Sequence, residues 1–247
     1  SNSIRSTHCG NADMMSESFL SYGYILSSAI YLTITLVLGR LTLQPVHFRL
    51  MIYAGALNAT SGVFCYFLEE HYWMPKRVGG MIMGVEDILI AAVVGMIPWF
   101  LVAVIWQKRL TVHFQWRASC RRIACIMPLV YLAYLMGIYI QIDPMSLLLI
   151  ICAILAVGLL ILRTDAWPLA ATGFVTFGPA WFLIVWATFY LLPGFVHQWN
   201  LDGTWGTPLC GVPLGEIVWA LIFGALLPVL VSFTFDVRIA GLRNQAI

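Results

Sequence analysis

An apolar run at residues 84–98 reads GVEDILIAAVVGMIP and carries two carboxylates, Glu86 and Asp87, near its start. A second run at residues 213–228 reads PLGEIVWALIFGALLP and carries Glu216 near its start. A carboxylate at membrane depth costs about 2.5–3.5 kcal/mol on insertion scales, so such residues are rare and usually functional. The two runs therefore predict a helical membrane protein in which acidic residues share a pocket.

The composition agrees with a chain that lies mostly within a bilayer. It is 61% hydrophobic and 10% charged, with a mean hydropathy of +0.90, which excludes an ordinary soluble domain and a disordered chain. The net charge of +2 is too small and too dispersed for nucleic-acid binding. The apolar runs are continuous rather than alternating, which favours helices over a barrel. We predict an all-α integral membrane protein with seven transmembrane helices, at residues 19–39, 50–68, 80–106, 123–141, 145–163, 168–192 and 211–235.

Basic residues are distributed unequally between the two ends of these spans. One face carries ten arginines and lysines, whereas the other carries only Arg5, Lys76 and Arg77. Because positive charge favours the cytoplasmic side, we predict a cytoplasmic C-terminus and an N-terminus outside. The predicted organisation is an extramembrane segment at residues 1–18, a membrane domain at 19–236 and a cytoplasmic tail at 237–247. We expect a multi-pass protein of the plasma or inner membrane.

The two acidic runs also resemble each other. An offset of 129 residues aligns Asp87 with Glu216 and Gly95 with Gly224, whereas an offset of 130 aligns Glu86 with Glu216. Both helices run from outside to inside in the predicted topology, so the repeat is parallel rather than inverted. We therefore predict two three-helix units plus one further helix.

With these motifs the chain resembles the lycopene cyclase domain family of seven-helix carotenoid cyclases. That family has a repeated Pro-x-Glu-Glu/Asp phrase at the start of a helix, often after a loop that contains Trp and Arg. Here the first copy follows EHYWMPKRVGG at residues 70–80, and the second follows HQWN at residues 197–200. The motifs are altered, because Gly84 replaces the family's proline and Gly215 replaces its first carboxylate.

The resemblance implies a redox-neutral cyclisation of polyene end groups, an intramolecular lyase or isomerase reaction. A buried acid protonates an alkene, the carbocation closes a ring, and a base removes a proton. The expected catalytic residues are Glu86, Asp87 and Glu216. Adjacent helical residues point about 100° apart, so we expect Glu86 and Glu216 to face the pocket and Asp87 to support them.

Aromatic faces attract a carbocation, and several aromatic residues lie on or beside the two motif helices. The predicted substrate-binding residues are Tyr72, Trp73, Trp99, Pro213 and Trp219. No nucleotide or flavin motif is visible, so no cofactor is expected. The expected partners are membrane lipid and a hydrophobic polyene, with no nucleic acid; a homo- or hetero-oligomer is left open.

Several alternatives remain open from the sequence. The three acids can instead be structural, as helix caps or as partners of Arg77 or Lys76. The chain can be a non-catalytic subunit of a larger membrane complex, or it can translocate protons. The histidines lack the spacing of a ligand set, so no metal site is predicted. Cys9 and Cys210 both fall on the outer side and could form a disulfide.

Overall fold

The computed structural model describes residues 7–69, 71–81, 83–192 and 194–240, with side chains from residue 22 onward. Within them it has eight α-helices. In chain order they are α1 (Thr7–Thr42), α2 (Pro45–Ala59), α3 (Phe64–Leu68), α4 (Val85–Trp106), α5 (Trp116–Tyr139), α6 (Pro144–Leu162), α7 (Trp167–Leu191) and α8 (Leu214–Phe235). A 3₁₀ turn at Thr60–Val63 joins α2 to α3, so that the two together form one long rod.

Seven helical segments are long and apolar enough to cross a membrane, which confirms the predicted number of spans and identifies a multi-pass membrane protein. They are Tyr22–Thr42, Pro45–Leu68, Val85–Trp106, Trp116–Tyr139, Pro144–Leu162, Thr164–Leu191 and Leu214–Phe235. The third span starts five residues later than expected, because Gly84 is extended and acts as the N-cap of α4. The fourth starts seven residues earlier, since the helix extends through a basic segment that can lie at the membrane interface.

Helices α4 and α8 form the centre of the bundle. Helix α8 packs against α7, α6 and α4, while α4 packs against α2, α1 and α7. Small residues allow the closest approaches: a Cβ on Gly173 of α7 would lie 2.0 Å from the backbone oxygen of Gly224 on α8. On the other side, a Cβ on Gly95 would lie 2.8 Å from the backbone oxygen of Ala54 on α2. Backbones this close leave no room for a side chain, so these glycines set the spacing of both helix pairs.

Backbone pairings join the segments that flank the two central helices, α4 and α8, at both ends of the bundle. Strand β1 (Leu110–Val112) follows α4, and β4 (Val237–Ile239) follows α8; they pair antiparallel, with Thr111 opposite Arg238. At the opposite end, Trp73 pairs antiparallel with Trp199 in the loops that precede the same two helices. The bundle is therefore tied together at both ends by pairings between its two halves.

A small hairpin lies just before α8. Strands β2 (Pro208–Leu209) and β3 (Val212–Pro213) pair antiparallel, and their two-residue turn has φ values of 52° at Cys210 and 83° at Gly211. Both values are typical of a tight hairpin turn. The predicted pairing of Cys210 with Cys9 lies outside the described side chains. Of the predicted terminal segments, residues 1–6 and 241–247 also lie outside the described part of the chain.

Candidate functional site

Glu216 is held by three hydrogen bonds from aromatic side chains. Its Oε1 accepts from the Tyr72 hydroxyl at 3.2 Å and from Trp199 Nε1 at 3.0 Å, and its Oε2 accepts from Trp181 Nε1 at 2.9 Å. The donors come from three different elements: the loop before α4, the loop before α8, and α7. Within the described part of the chain, no ion pair involves Glu216. Hydrogen bonds therefore satisfy this carboxyl group with no cation beside it.

The Glu216 carboxyl group faces a cavity of about 240 Å³ inside the bundle. Among the described residues that line it, Glu216 is the only acid. The wall nearest the acid is aromatic: Trp219 lies edge-on to Trp181 at 5.7 Å and stacks on Phe223 at 5.0 Å. The rest of the wall is mainly aliphatic, with polar groups such as Tyr31 and Thr188 on one side. The cavity is thus an apolar, aromatic space with one carboxyl group at the end where α8 begins.

Gly215 explains how Tyr72 reaches the acid. A Cβ on Gly215 would lie 2.6 Å from the Tyr72 hydroxyl oxygen, so any side chain at this position would displace Tyr72. The glycine at position 215 therefore makes room for the Tyr72 phenol. Burial raises the pKa of Tyr72 well above its usual value, and the charge of Glu216 raises it further. Tyr72 consequently stays protonated at neutral pH and can donate to Glu216.

Asp87 is not part of the cavity wall but forms a buried ion pair. The Arg77 guanidinium donates from Nε to Asp87 Oδ2 at 2.7 Å, and the exposed fractions of the two side chains are 1% and 0%. Asp87 also accepts from the Tyr24 hydroxyl at 3.0 Å and from the Gly84 backbone N–H at 2.8 Å. The last contact caps the N-terminus of α4. These are the contacts expected from the structural alternative for Asp87.

Arg77 is stabilised as a cation by two acids. Its Nη1 donates to both carboxylate oxygens of Glu69 at 3.1 Å, in addition to the contact with Asp87. Burial by itself would lower the pKa of the guanidinium, but the hydrogen bonds and charges of Asp87 and Glu69 raise it above its ordinary value. Arg77 therefore stays a cation at neutral pH.

Glu86 does not face the cavity, contrary to the expectation that it meets Glu216 there. Its Oε1 accepts from the Val78 backbone N–H at 2.8 Å, and the residue is 2% exposed. The carboxyl group turns back toward the loop before α4 because that loop offers a backbone donor there. Glu86 and Asp87 together fasten this loop to the helix, and the same loop carries Tyr72 to the site.

The other predicted binding residues divide into two groups. Trp73 and Trp219 line the cavity, as does Tyr72. Trp99 does not: it is fully buried, and its Nε1 donates to the His47 backbone oxygen at 3.3 Å on the α2 side of α4. Pro213 is the N-cap of α8 and lies outside the cavity lining. The helical rotation of α4 turns Trp99 away from the acid, and sequence position alone does not determine that rotation.

Sequence reasoning missed three residues that contact the acids directly, namely Trp181, Tyr24 and Trp199. Trp181 lies in the middle of α7, 35 residues before Glu216, and no local motif marks it. Tyr24 lies 63 residues before Asp87 and is 2% exposed. Only Trp199 could have been found, since it stands in the Trp-containing loop before the second motif.

Comparison of the chain with protein-family models, with curated proteins and with solved structures finds no match. The chemistry of the site must therefore be argued from its geometry. Among the described residues, no three His, Cys, Asp or Glu side chains come together as a group that could hold a metal ion. What the site offers is a single carboxyl group with aromatic donors and an apolar space beside it. Such a group can transfer a proton to an apolar ligand or counterbalance a positive charge on it.

Proposed function

We propose that the protein is a membrane cyclase of lycopene type, which closes the end group of a hydrophobic polyene in a redox-neutral reaction. One observation carries this proposal: Glu216 is the only acid among the described lining residues of an apolar cavity with aromatic walls. An acid in that position has no soluble substrate to act on, because the cavity lies between membrane-spanning helices. A hydrocarbon is the chemistry that fits the cavity, and proton transfer is the chemistry that fits the acid.

In the proposed reaction Glu216 is first the acid and then the base. The carboxyl group transfers its proton to a terminal alkene, which leaves a carbocation on the substrate and a carboxylate on the protein. A neighbouring alkene attacks the cation and closes the ring, and the carboxylate then removes one C–H proton to form the new double bond. The proton returns to Glu216, so mass and redox state are unchanged.

The neighbours of Glu216 suit both states. Trp181 and Trp199 donate hydrogen bonds to the carboxylate once the proton has left. The Tyr72 hydroxyl donates to the carboxylate and can accept from the protonated acid by rotating its O–H bond. The faces of Trp219 and Phe223 provide negative π density for the cation without a nucleophile that would trap it.

We further propose the parallel repeat and the orientation expected from the sequence. In this arrangement α1, α2 and α4 form one unit and α6, α7 and α8 the other, with α5 between them. The proposal is supported by matched packing, since α4 contacts α1 and α2 while α8 contacts α6 and α7. It is also supported by the antiparallel pairings of β1 with β4 and of Trp73 with Trp199. A two-fold axis along the membrane normal would bring equivalent segments together in this way at both faces. The excess of basic residues on the β1–β4 side favours a cytoplasmic location for that face.

The decisive experiment expresses the chain in a lycopene-accumulating host and analyses the pigments by chromatography and mass spectrometry. A product of unchanged mass with a blue-shifted spectrum is expected from the native chain, and Glu216→Gln should abolish it. Asp202→Asn is the matched control, because it removes an exposed carboxylate on the loop before α8. Equal conversion by native protein and Glu216→Gln would refute the role of the acid. Unchanged lycopene with well-folded native protein would refute autonomous lycopene cyclisation.

A second candidate is a non-catalytic membrane subunit that uses the same cavity without turnover. It is favoured because the described cavity lining contains no second acid. Asp87 is instead paired with Arg77, and glycine occupies position 215, where the resembled family has a carboxylate. This candidate predicts stable co-purification with partner subunits and an unchanged pigment pool. A monodisperse isolated chain that converts a polyene would exclude it.

A further inference from the structure

The cavity is elongated along helix α8. The residues of α8 that line it include Glu216, Trp219, Phe223, Leu227 and Leu230, which repeat at intervals of three and four and so share one face of the helix. These fourteen residue steps correspond to about 21 Å along the helix axis at the ordinary rise. The cavity therefore accommodates a linear molecule that lies parallel to the bundle, with one end at the carboxyl group.

Helix α5 forms one wall of the cavity and is the least embedded of the spans. It contributes Ile126, Met127, Val130 and Tyr134 to the lining. Only 11% of its most apolar window is buried, compared with 61% for α8. A wall that is both thin and mostly lipid-facing separates the cavity from the bilayer.

Two sets of aromatic contacts join the α2–α3 rod to α5 and to the loop before it. On the outer side the Tyr131 hydroxyl donates to the Thr60 backbone oxygen at 2.6 Å, and Phe64 packs on Tyr131 at 5.0 Å. On the inner side Phe114 stacks on Tyr53 of α2 at 6.0 Å and lies 6.3 Å from Trp116.

Between these contacts α2 and α5 pack only weakly, since the close neighbours of α5 are α6 and α8 rather than α2. We call the boundary between Asn58 of α2 and Met127 of α5 the window. No hydrogen bond or ring contact joins the described side chains of α5 to α2 itself, although Asn58 of α2 and Met127 of α5 both line the cavity and are half-buried. Pro128 lies in α5 at this level and removes a backbone hydrogen bond of the helix, so the wall can bend there.

We propose that a linear polyprenyl chain enters the cavity from the bilayer through the window between α2 and α5 and lies along α8 with its end group against Glu216. The inference rests on the proposed function for the natural substrate, but the route and the position of the chain follow from the cavity alone. A polyprenyl chain partitions into the hydrocarbon layer, which is the layer that the window faces. Entry from water at the outer face would require the chain to pass the loops joined by the Trp73–Trp199 pairing.

The test is photolabelling of the full chain in phosphatidylcholine vesicles with geranylgeraniol that carries a diazirine at its terminal isoprene. After irradiation, labelled peptides are mapped by mass spectrometry, with and without an excess of unlabelled geranylgeraniol. Labels that can be competed away are expected on cavity residues such as Trp219 and Phe223. Labels confined to lipid-facing residues such as Leu129 and Leu132, which are 66% and 57% exposed, would overturn the proposal.

The route is tested with a matched pair of substitutions on α5. Met127→Trp fills the window and should reduce labelling of the cavity by about tenfold, whereas Leu129→Trp adds the same bulk on the lipid face and should leave it unchanged. Equal labelling in both variants would place the entrance elsewhere. Labelling without any cyclisation in the pigment assay would refute the proposed enzyme but not the route. Full cyclisation by Met127→Trp would refute the route but not the enzyme.

Discussion

Replacement of Arg77 by methionine should be among the most destabilising single changes in the loops that precede the two central helices. The guanidinium lies 2.7 Å from Asp87, and both side chains are almost completely buried. Removing one partner of such a pair leaves an uncompensated buried charge, which costs about 3–5 kcal/mol. Glu69 also loses its partner, but its side chain is 27% exposed, so water can compensate much of that loss.

A double-mutant cycle isolates the pair. Asp87→Asn by itself should cost a similar amount, whereas the double variant with Arg77→Met carries neither charge and should cost clearly less than the sum. We expect a coupling free energy of about 2–3 kcal/mol, at the upper end of values for residues in direct contact. The free energy of unfolding is measured in mixed micelles with an increasing fraction of denaturing detergent, followed by circular dichroism.

The control for this cycle is Arg238→Met. Arg238 pairs with Asp236 at 3.0 Å, but the two side chains are 43% and 24% exposed, so the loss should be below about 1 kcal/mol. The reasoning would be refuted if Arg77→Met cost no more than Arg238→Met. It would also be refuted if the two single losses at the buried pair were additive, because the pair would then contribute nothing beyond its separate contacts.

Three further predictions concern packing and protonation. Gly215→Ala should displace the Tyr72 hydroxyl, because the new Cβ would lie 2.6 Å from that oxygen, and turnover should fall by about tenfold or more. The pigment assay measures turnover, and an unchanged value would show that Tyr72 is dispensable. Gly173→Ala should separate α7 from α8 and lower the free energy of unfolding by about 1–3 kcal/mol or more. The control is Gly158→Ala, whose new Cβ meets nothing within 4 Å, so it should be neutral or stabilising. Equal free energies of unfolding for the two variants would contradict the close approach of α7 and α8. The pKa of Tyr72 is raised by burial and by the acid beside it, so its contribution to stability is complete below about pH 10 and is lost as the pH rises toward the folded-state value. Tyr72→Phe should therefore weaken the alkaline loss of stability, and identical alkaline unfolding curves for the two proteins would contradict the shift.

The number and approximate position of the spans could be predicted because hydropathy acts locally. A helix must satisfy its own backbone hydrogen bonds in lipid, so a long apolar run is sufficient evidence for a span. Hydropathy does not determine a helix boundary where polar residues continue the helix. Helix α5 begins at Trp116 and includes Arg117, Arg121 and Arg122, which the apolar pattern excludes. Arg122 joins the start of α5 to the end of α8, because its Nη1 donates to the Phe233 backbone oxygen at 2.6 Å.

The roles of the three acids could not be assigned from their spacing. Glu86 and Glu216 align at one offset and Asp87 and Glu216 at the other, and the sequence does not choose between them. In the structure Asp87 and Glu216 both occupy the third helical position of their helices, which agrees with the offset of 129. Asp87 nevertheless has a buried cation and Glu216 has none, so equivalent positions carry different chemistry.

The sequence by itself determined that this is a bundle of seven apolar helices with acids near the start of two of them. Those features follow from the cost of placing polar groups in lipid, which each segment meets without help from the others. Only the tertiary structure decided which acid faces the cavity. Arg77 neutralises Asp87 from ten residues away, while Tyr72, Trp181 and Trp199 converge on Glu216 from three separate elements. Such contacts depend on helix rotation and loop paths, and these are set by the packing of the whole bundle rather than by any local pattern.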